Sequence, residues 1–154
     1  MKKTIMAIFV AFALCTMSLA QENWPIDVDR LIYAIAEVES GSNDEATGKN
    51  GEVGRYQITE KYLSDANRFL YENYPKTDKD IRFRPYTMED MRDPNKAFEV
   101  VLVYLFHYSR LVEGEVTFET LARIHNGGPN GYKNPNTVEY WNKVRKVLEK
   151  NGNQ

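Results

Sequence analysis

The strongest constraint on the fold is an apolar stripe that ends abruptly. Val28, Leu31, Ile32, Ile35 and Val38 recur at helical spacing, and Ser40-Gly41 follows them. Asp27 is placed to cap the start, Ile26 and Leu31 to form a hydrophobic staple, and Gly41 to take the position just past the end. Successive residues turn by about 100°, so Glu39 falls within about 50° of the stripe's centre, whereas Glu37 points away with Arg30 and Tyr33 towards water. Desolvation and the negative end of the helix dipole both favour the protonated form of a carboxyl at Glu39. Such a carboxyl can donate to a glycosidic oxygen. By itself the pattern also fits a structural glutamate paired with a lysine or arginine, which is the commoner case.

The remaining chain reads as mostly helical. Tyr62 to Tyr71 forms a helix that ends near Pro75, and Lys76 to Arg92, with Pro85, forms a long loop. Asp93-Pro94 opens a central helix whose buried face is Phe98, Val101, Leu102, Leu105 and Phe106. Thr117 to His125 is a shorter helix leading into an Asn126-Gly127-Gly128-Pro129 turn. Asn136 with Glu139 resembles a capping box before a last helix with Trp141, Val144 and Leu148 inward. Glu52 to Ile58 is placed as a short hairpin or small sheet. The fold class is mainly α with a minor β element (α+β).

Four segments occur in a telling order: V-E-S-G, G-R-Y-Q-I, A-R-I-H-N-G-G-P-N-G and T-V-E-Y-W-N-K-V-R-K-V-L. Together they resemble the lysozyme-like superfamily, over roughly residues 26–148. The matches are Glu39-Ser40, Gly54 to Gln57, Ile124 to Gly128, and Thr137 with Tyr140. They are similar to the soluble lytic transglycosylases (SLT-type), while the A-R-I-H-N-G-G-P-N-G run and Y-W-N-K-V lie closer to the invertebrate-type lysozymes. The resemblance implies a lysozyme-like fold, peptidoglycan glycan strands as the partner, and cleavage of the MurNAc-β-1,4-GlcNAc bond with Glu39 as acid and then base.

The chain departs from both patterns. Invertebrate-type lysozymes are rich in disulfides, and the only cysteine here is Cys15. They also place an aspartate in the loop after the catalytic glutamate. That loop is shorter here, with Asp44, Glu45 and Glu52 as the local carboxylates. The tyrosine before asparagine in many transglycosylases is His125. A hydrolase usually needs two carboxyls. A lytic transglycosylase, as the resemblance implies, manages with one and releases a 1,6-anhydro sugar, so the lack of a clear second carboxylate favours it. Glu52 is the best spare, but its reading as a solvated loop charge comes first, so Glu52→Gln is expected to leave most activity. The alternatives are a hydrolytic muramidase and a non-catalytic glycan-binding protein on the same scaffold, for example part of a secretion or conjugation apparatus.

Other roles follow by resemblance, each beside an ordinary one. Gln57 lines the cleft and bonds sugar, or is a polar residue in a strand. Tyr56 stacks on a sugar ring or packs in the core. Asn126 contacts the N-acetyl sugar or orients the acid, and an Asn-Gly-Gly-Pro turn would need it anyway. Tyr140 faces Glu39 or is a core aromatic. Ser40 is a helix-end residue or a cleft hydrogen-bond partner rather than a nucleophile. The two histidines, His107 and His125, lack metal-ligand spacing, so neither a metal nor a cofactor is expected, and neither suggests a triad.

Residues 1–20 read as a secretory signal peptide: Lys2-Lys3, an apolar core from Ile5 to Cys15, and Ser18-Leu19-Ala20 before Gln21. The apolar run is short for a membrane span, and bulky Leu14 disfavours a lipid anchor on Cys15. Residues 21–154 then form one exported domain, periplasmic or secreted, with no membrane anchor. Removing Lys2 and Lys3 moves the net charge from −2 to −4, which argues against a cationic antimicrobial lysozyme and against nucleic-acid binding. Without a cysteine, this domain depends on its core.

Overall fold

A computed structural model describes residues 27–73 and 84–151. The expected signal segment, Ile26 of the staple, and Pro75 lie outside these residues. Five α-helices carry the fold: α1 (Val28–Ser40), α2 (Glu60–Asn73), α3 (Pro94–Ser109), α4 (Phe118–Gly127) and α5 (Val138–Asn151). Short 3-10 turns cover Glu89–Arg92, Gly131–Lys133 and Pro135–Thr137.

Helix α1 is the core helix, for the reasons its sequence implies. The Asp27 carboxylate accepts from the Arg30 amide at 3.3 Å. Gly41 ends the helix in the left-handed region, at φ 64°, and returns its N–H to the carbonyls of Ala36 and Glu37. Leu31, Ile32 and Ile35 are fully buried, each contributing on the order of 1.5–3 kcal/mol. Glu37 is less solvated than its place on the wheel suggests, because Ser42 Oγ donates to its carboxylate. The helix packs on α5 and touches α3 and α4, while α2 packs along α3. Arg30 ties the first pair by donating to the Leu148 carbonyl at 2.6 Å.

Two expectations need correction. The buried face of α3 is Ala97, Val100, Val101, Tyr104, Leu105 and Tyr108, so Phe98, Leu102 and Phe106 flank it. Two tyrosines belong to the inward stripe, and an apolar-only reading rotates the face away from them. Before α5, the capping side chain is Asn134 rather than Asn136. Its carboxamide oxygen accepts from the Asn136 amide at 3.0 Å, and it starts a 3-10 turn that runs into the helix. The Asp93-Pro94 start holds as expected, with the Asp93 carboxylate accepting from the Asn95 and Lys96 amides.

The segment between α1 and α2 is irregular but tightly held. Its β pairing is limited to two isolated antiparallel bridges, Thr47 with Val53 and Val53 with Ile58. Gly54, at φ +76°, comes so close to the Glu89–Arg92 turn that a β-carbon would lie 2.1 Å from the Met91 carbonyl oxygen. Asp44 and Arg55 form a bidentate pair at 2.5 and 2.8 Å. Arg92 donates to the Glu45 carbonyl and to Thr47 Oγ1. These ties hold the loop as one wall of a cleft.

Candidate active site

The cleft has a volume of about 570 Å³, within the ~300–1,000 Å³ of small-ligand sites. Glu39 enters it from the end of α1. Gly48, Lys49, Asn50, Glu52 and Gln57 come from the loop, Thr59, Lys61 and Tyr62 from the start of α2, and Tyr104 from α3. His125 and Asn126 to Pro129 come from the end of α4.

The Glu39 side chain is 18% exposed, which leaves its carboxyl reachable from the cleft while most of it is out of water. His125 Nε2 lies 3.6 Å from Glu39 Oε1. His125 is buried, with Nδ1 3.2 Å from the Tyr62 hydroxyl and Nε2 3.3 Å from the Tyr56 carbonyl. Tyr62 stacks on Tyr104 with ring centroids 3.6 Å apart. Tyr140 lies over the His125 ring at 6.5 Å. Burial, and then the charge of Glu39, holds the Tyr140 phenol well above its ordinary range. Its buried hydroxyl has no hydrogen-bond partner of full geometry, although the Glu39 carboxylate acts on it. Tyr62 is likewise held up by burial, and the two phenols remain neutral.

Glu52 is the only one of the three loop carboxylates to reach the cleft. Asp44 is taken by Arg55, and Glu45 by Arg92 at 3.5 Å. The Glu52 carboxylate accepts from the Asn50 side chain at 3.0 Å and the Asn50 amide at 2.9 Å. These bonds hold it below the usual glutamate range, and therefore ionised. Gln57 donates to the Gly54 carbonyl at 2.9 Å from a backbone at φ 47°, sparsely populated for a residue with a side chain. Backbone of this kind clusters at functional sites.

The site residues expected from sequence divide clearly. Glu39, Glu52, Gln57 and Asn126 share the cleft. Tyr140 lies over the His125 ring, and the Glu39 charge acts on its hydroxyl. Tyr56 is buried in the core and offers the site its carbonyl, and burial raises its phenol. Ser40 works as a helix-end staple, donating to the Arg55 carbonyl at 2.9 Å and accepting from the Asn43 amide. Sequence reasoning set His125 aside and did not single out Tyr62 as a site residue. The available signal was His125 itself, directly before Asn126 in the motif. His107 lies elsewhere, against Phe69 and Tyr108. Among the described residues no group of three His, Cys, Asp or Glu is placed to hold a metal ion.

The chain is similar to known proteins across this same architecture. It is 33% identical over 91 residues to a lysozyme of Magallana gigas, covering 59% of this chain and 56% of that protein. It is 44% identical over 45 residues to lysozyme 1 of Crassostrea virginica, covering 29% of this chain and 24% of that one. Both matches span less than two thirds of the relative's own length. Among solved structures, the complex of Meretrix lusoria lysozyme with Aeromonas hydrophila PliI matches with a TM-score of 0.61 at 26% identity, covering 77% of this chain and 88% of that one. An inhibitor-bound lysozyme from Meretrix lusoria matches with a TM-score of 0.56 at 27% identity, with the same coverage. The lysozyme-like fold read from the motifs is therefore present. The Destabilase family pattern matches residues 29–147, from α1 through most of α5 and across the whole cleft, so the chain belongs to the Destabilase family.

Proposed function

We propose that the chain is an exported muramidase that hydrolyses the β-1,4 bond between N-acetylmuramic acid and N-acetylglucosamine in peptidoglycan. The observation that carries this reading is the pair Glu39 and Glu52, set into one cleft from the end of α1 and from the loop after it. Glu39, shielded beside His125 and Tyr140, donates its proton to the glycosidic oxygen as the C1–O bond breaks. Glu52, kept ionised by Asn50, faces the positive charge that develops at the sugar. Water then adds at C1 and its proton returns to a carboxylate, so the product has a reducing end. Gln57 and Asn126, which line the same cleft, bond the sugar's polar groups. The similarity to lysozymes supports this assignment.

The one-carboxyl transglycosylase is the second reading. Both oxygens of Glu52 are occupied by Asn50, which favours a structural role for it. The two readings differ by one water in the product. Mass spectrometry of muropeptides released by residues 21–154, with Glu39→Gln as control, gives reducing ends for the hydrolase and 1,6-anhydro ends for the transglycosylase. No product from either protein supports a glycan-binding or assembly role instead. Export through residues 1–20 is part of the proposal, and a secreted protein beginning at Gln21 on N-terminal sequencing is its test.

A further inference from the structure

We infer that His125 is the positioning residue for the acid, and that it decides which oxygen of Glu39 carries the transferable proton. The inference rests on Glu39 being the acid.

The partners of the imidazole set its tautomer. The Tyr56 carbonyl can only accept, so the Nε2 facing it at 3.3 Å carries the hydrogen. Nδ1 then has a free lone pair, and the Tyr62 hydroxyl donates to it at 3.2 Å. The ring is buried and wedged edge-on to Tyr62, with centroids 5.3 Å apart, so it cannot turn over without leaving both partners unpaired. Nε2 also lies 3.6 Å from Glu39 Oε1, so its one hydrogen can be shared between the Tyr56 carbonyl and that oxygen and tighten towards the carboxyl when substrate fills the cleft. The groups facing the imidazole are Glu39 from α1, Tyr56 from the loop, Tyr62 from α2 and Tyr140 from α5.

An N–H shared between the Tyr56 carbonyl and Oε1 makes that oxygen an acceptor. The acid proton then sits on Oε2, the oxygen left for the substrate. As the proton passes to the glycosidic oxygen, negative charge grows on the carboxylate, and the Nε2–H contact strengthens with it. An interaction that is stronger in the transition state than in the ground state raises kcat and leaves KM nearly unchanged. When Glu39 later takes a proton back, the same geometry returns it to Oε2.

The test is nitrogen-15 NMR of the imidazole rings in the mature chain, with His107→Asn used to leave a single histidine. The expected pattern is an Nε2–H tautomer whose Nε2 resonance moves in Glu39→Gln, a readout that needs no turnover. An Nδ1–H tautomer, or an Nε2 resonance indifferent to Glu39→Gln, overturns the inference even if peptidoglycan is cleaved. In kinetics, Tyr62→Phe keeps the ring stack, removes the donor to Nδ1 and lowers kcat, and His125→Phe lowers kcat by about 10–10²-fold at similar KM. His125→Gln, which keeps a donor near the Nε2 position, recovers most of that loss. Equal kcat in His125→Gln and His125→Phe, with both proteins folded, would leave His125 a packing residue. Full activity in Glu39→Gln would instead sink the reading of Glu39 as the acid.

Discussion

Gly48 lies so close beneath Glu52 that a β-carbon there would stand 2.2 Å from the Glu52 carboxylate and 2.7 Å from the Gln57 side-chain oxygen. The backbone of the loop is thus the floor on which two cleft side chains rest.

Gly48→Ala should therefore move function more than stability. The two nearest atoms in the way are the ends of flexible side chains, which can swing aside for about 1 kcal/mol, and the Glu52 β-carbon at 3.0 Å has to give only slightly. Swinging aside takes Glu52 off its Asn50 clamp. We expect kcat/KM to fall at least about tenfold while the thermal midpoint changes little. Unchanged kinetics would show that the placement of Glu52 is irrelevant to turnover.

The two carboxylates are separated by conservative replacements. Glu39→Gln should cost at least about 10²-fold in kcat, with the circular dichroism spectrum retained. Glu52→Gln should lose most activity if water is the acceptor, and little if the sugar's own hydroxyl is. Sequence reasoning alone points to the second outcome, and the shared cleft points to the first. Initial rates on purified peptidoglycan decide between them.

Gln57→Gly separates strain from function. The left-handed backbone at φ 47° costs about 1 kcal/mol for a residue with a side chain. Glycine removes that cost but adds a similar entropy to the unfolded chain. Urea unfolding should place the variant within about 0.5 kcal/mol of the parent. Activity should fall through loss of the amide in the cleft, and a variant as active as the parent would remove Gln57 from the sugar-binding wall.

Asp90 gives the fold a pH dependence away from the cleft. It is held at about 2 by the Lys96 ammonium at 2.5 Å, and then by the Thr87 amide and hydroxyl. Because its folded value is depressed, its contribution is present above its ordinary value of 3.8 and fades as the pH falls towards 2. Asp90 is 15% exposed and Lys96 43%, so solvent screening reduces the gain to on the order of 1–2 kcal/mol. Asp90→Asn should be less stable than the parent by that amount at pH 7 and equal to it near pH 2. A constant difference across the range would exclude this origin.

Local chemistry made much of this protein legible. The Asp27 and Asp93 caps, the Gly41 stop and the α1 stripe are patterns within a few residues, and each matches the folded chain. Glu39 was legible for the same reason, since its side of the helix follows from the stripe around it. The α3 face was misread because inward tyrosines count as polar in an apolar pattern, although Tyr104 packs its ring against Tyr62. Tertiary structure alone decided which partners Glu39 would have. Glu52 reaches the cleft because Gly54 lies against the Met91 carbonyl and Arg55 removes Asp44. His125 reaches Glu39 because α4 packs against α1, bringing its last turn to the end of the other helix. Helical periodicity determines which face of a segment turns inward. What that face meets depends on contacts between distant segments, which form only when the core closes.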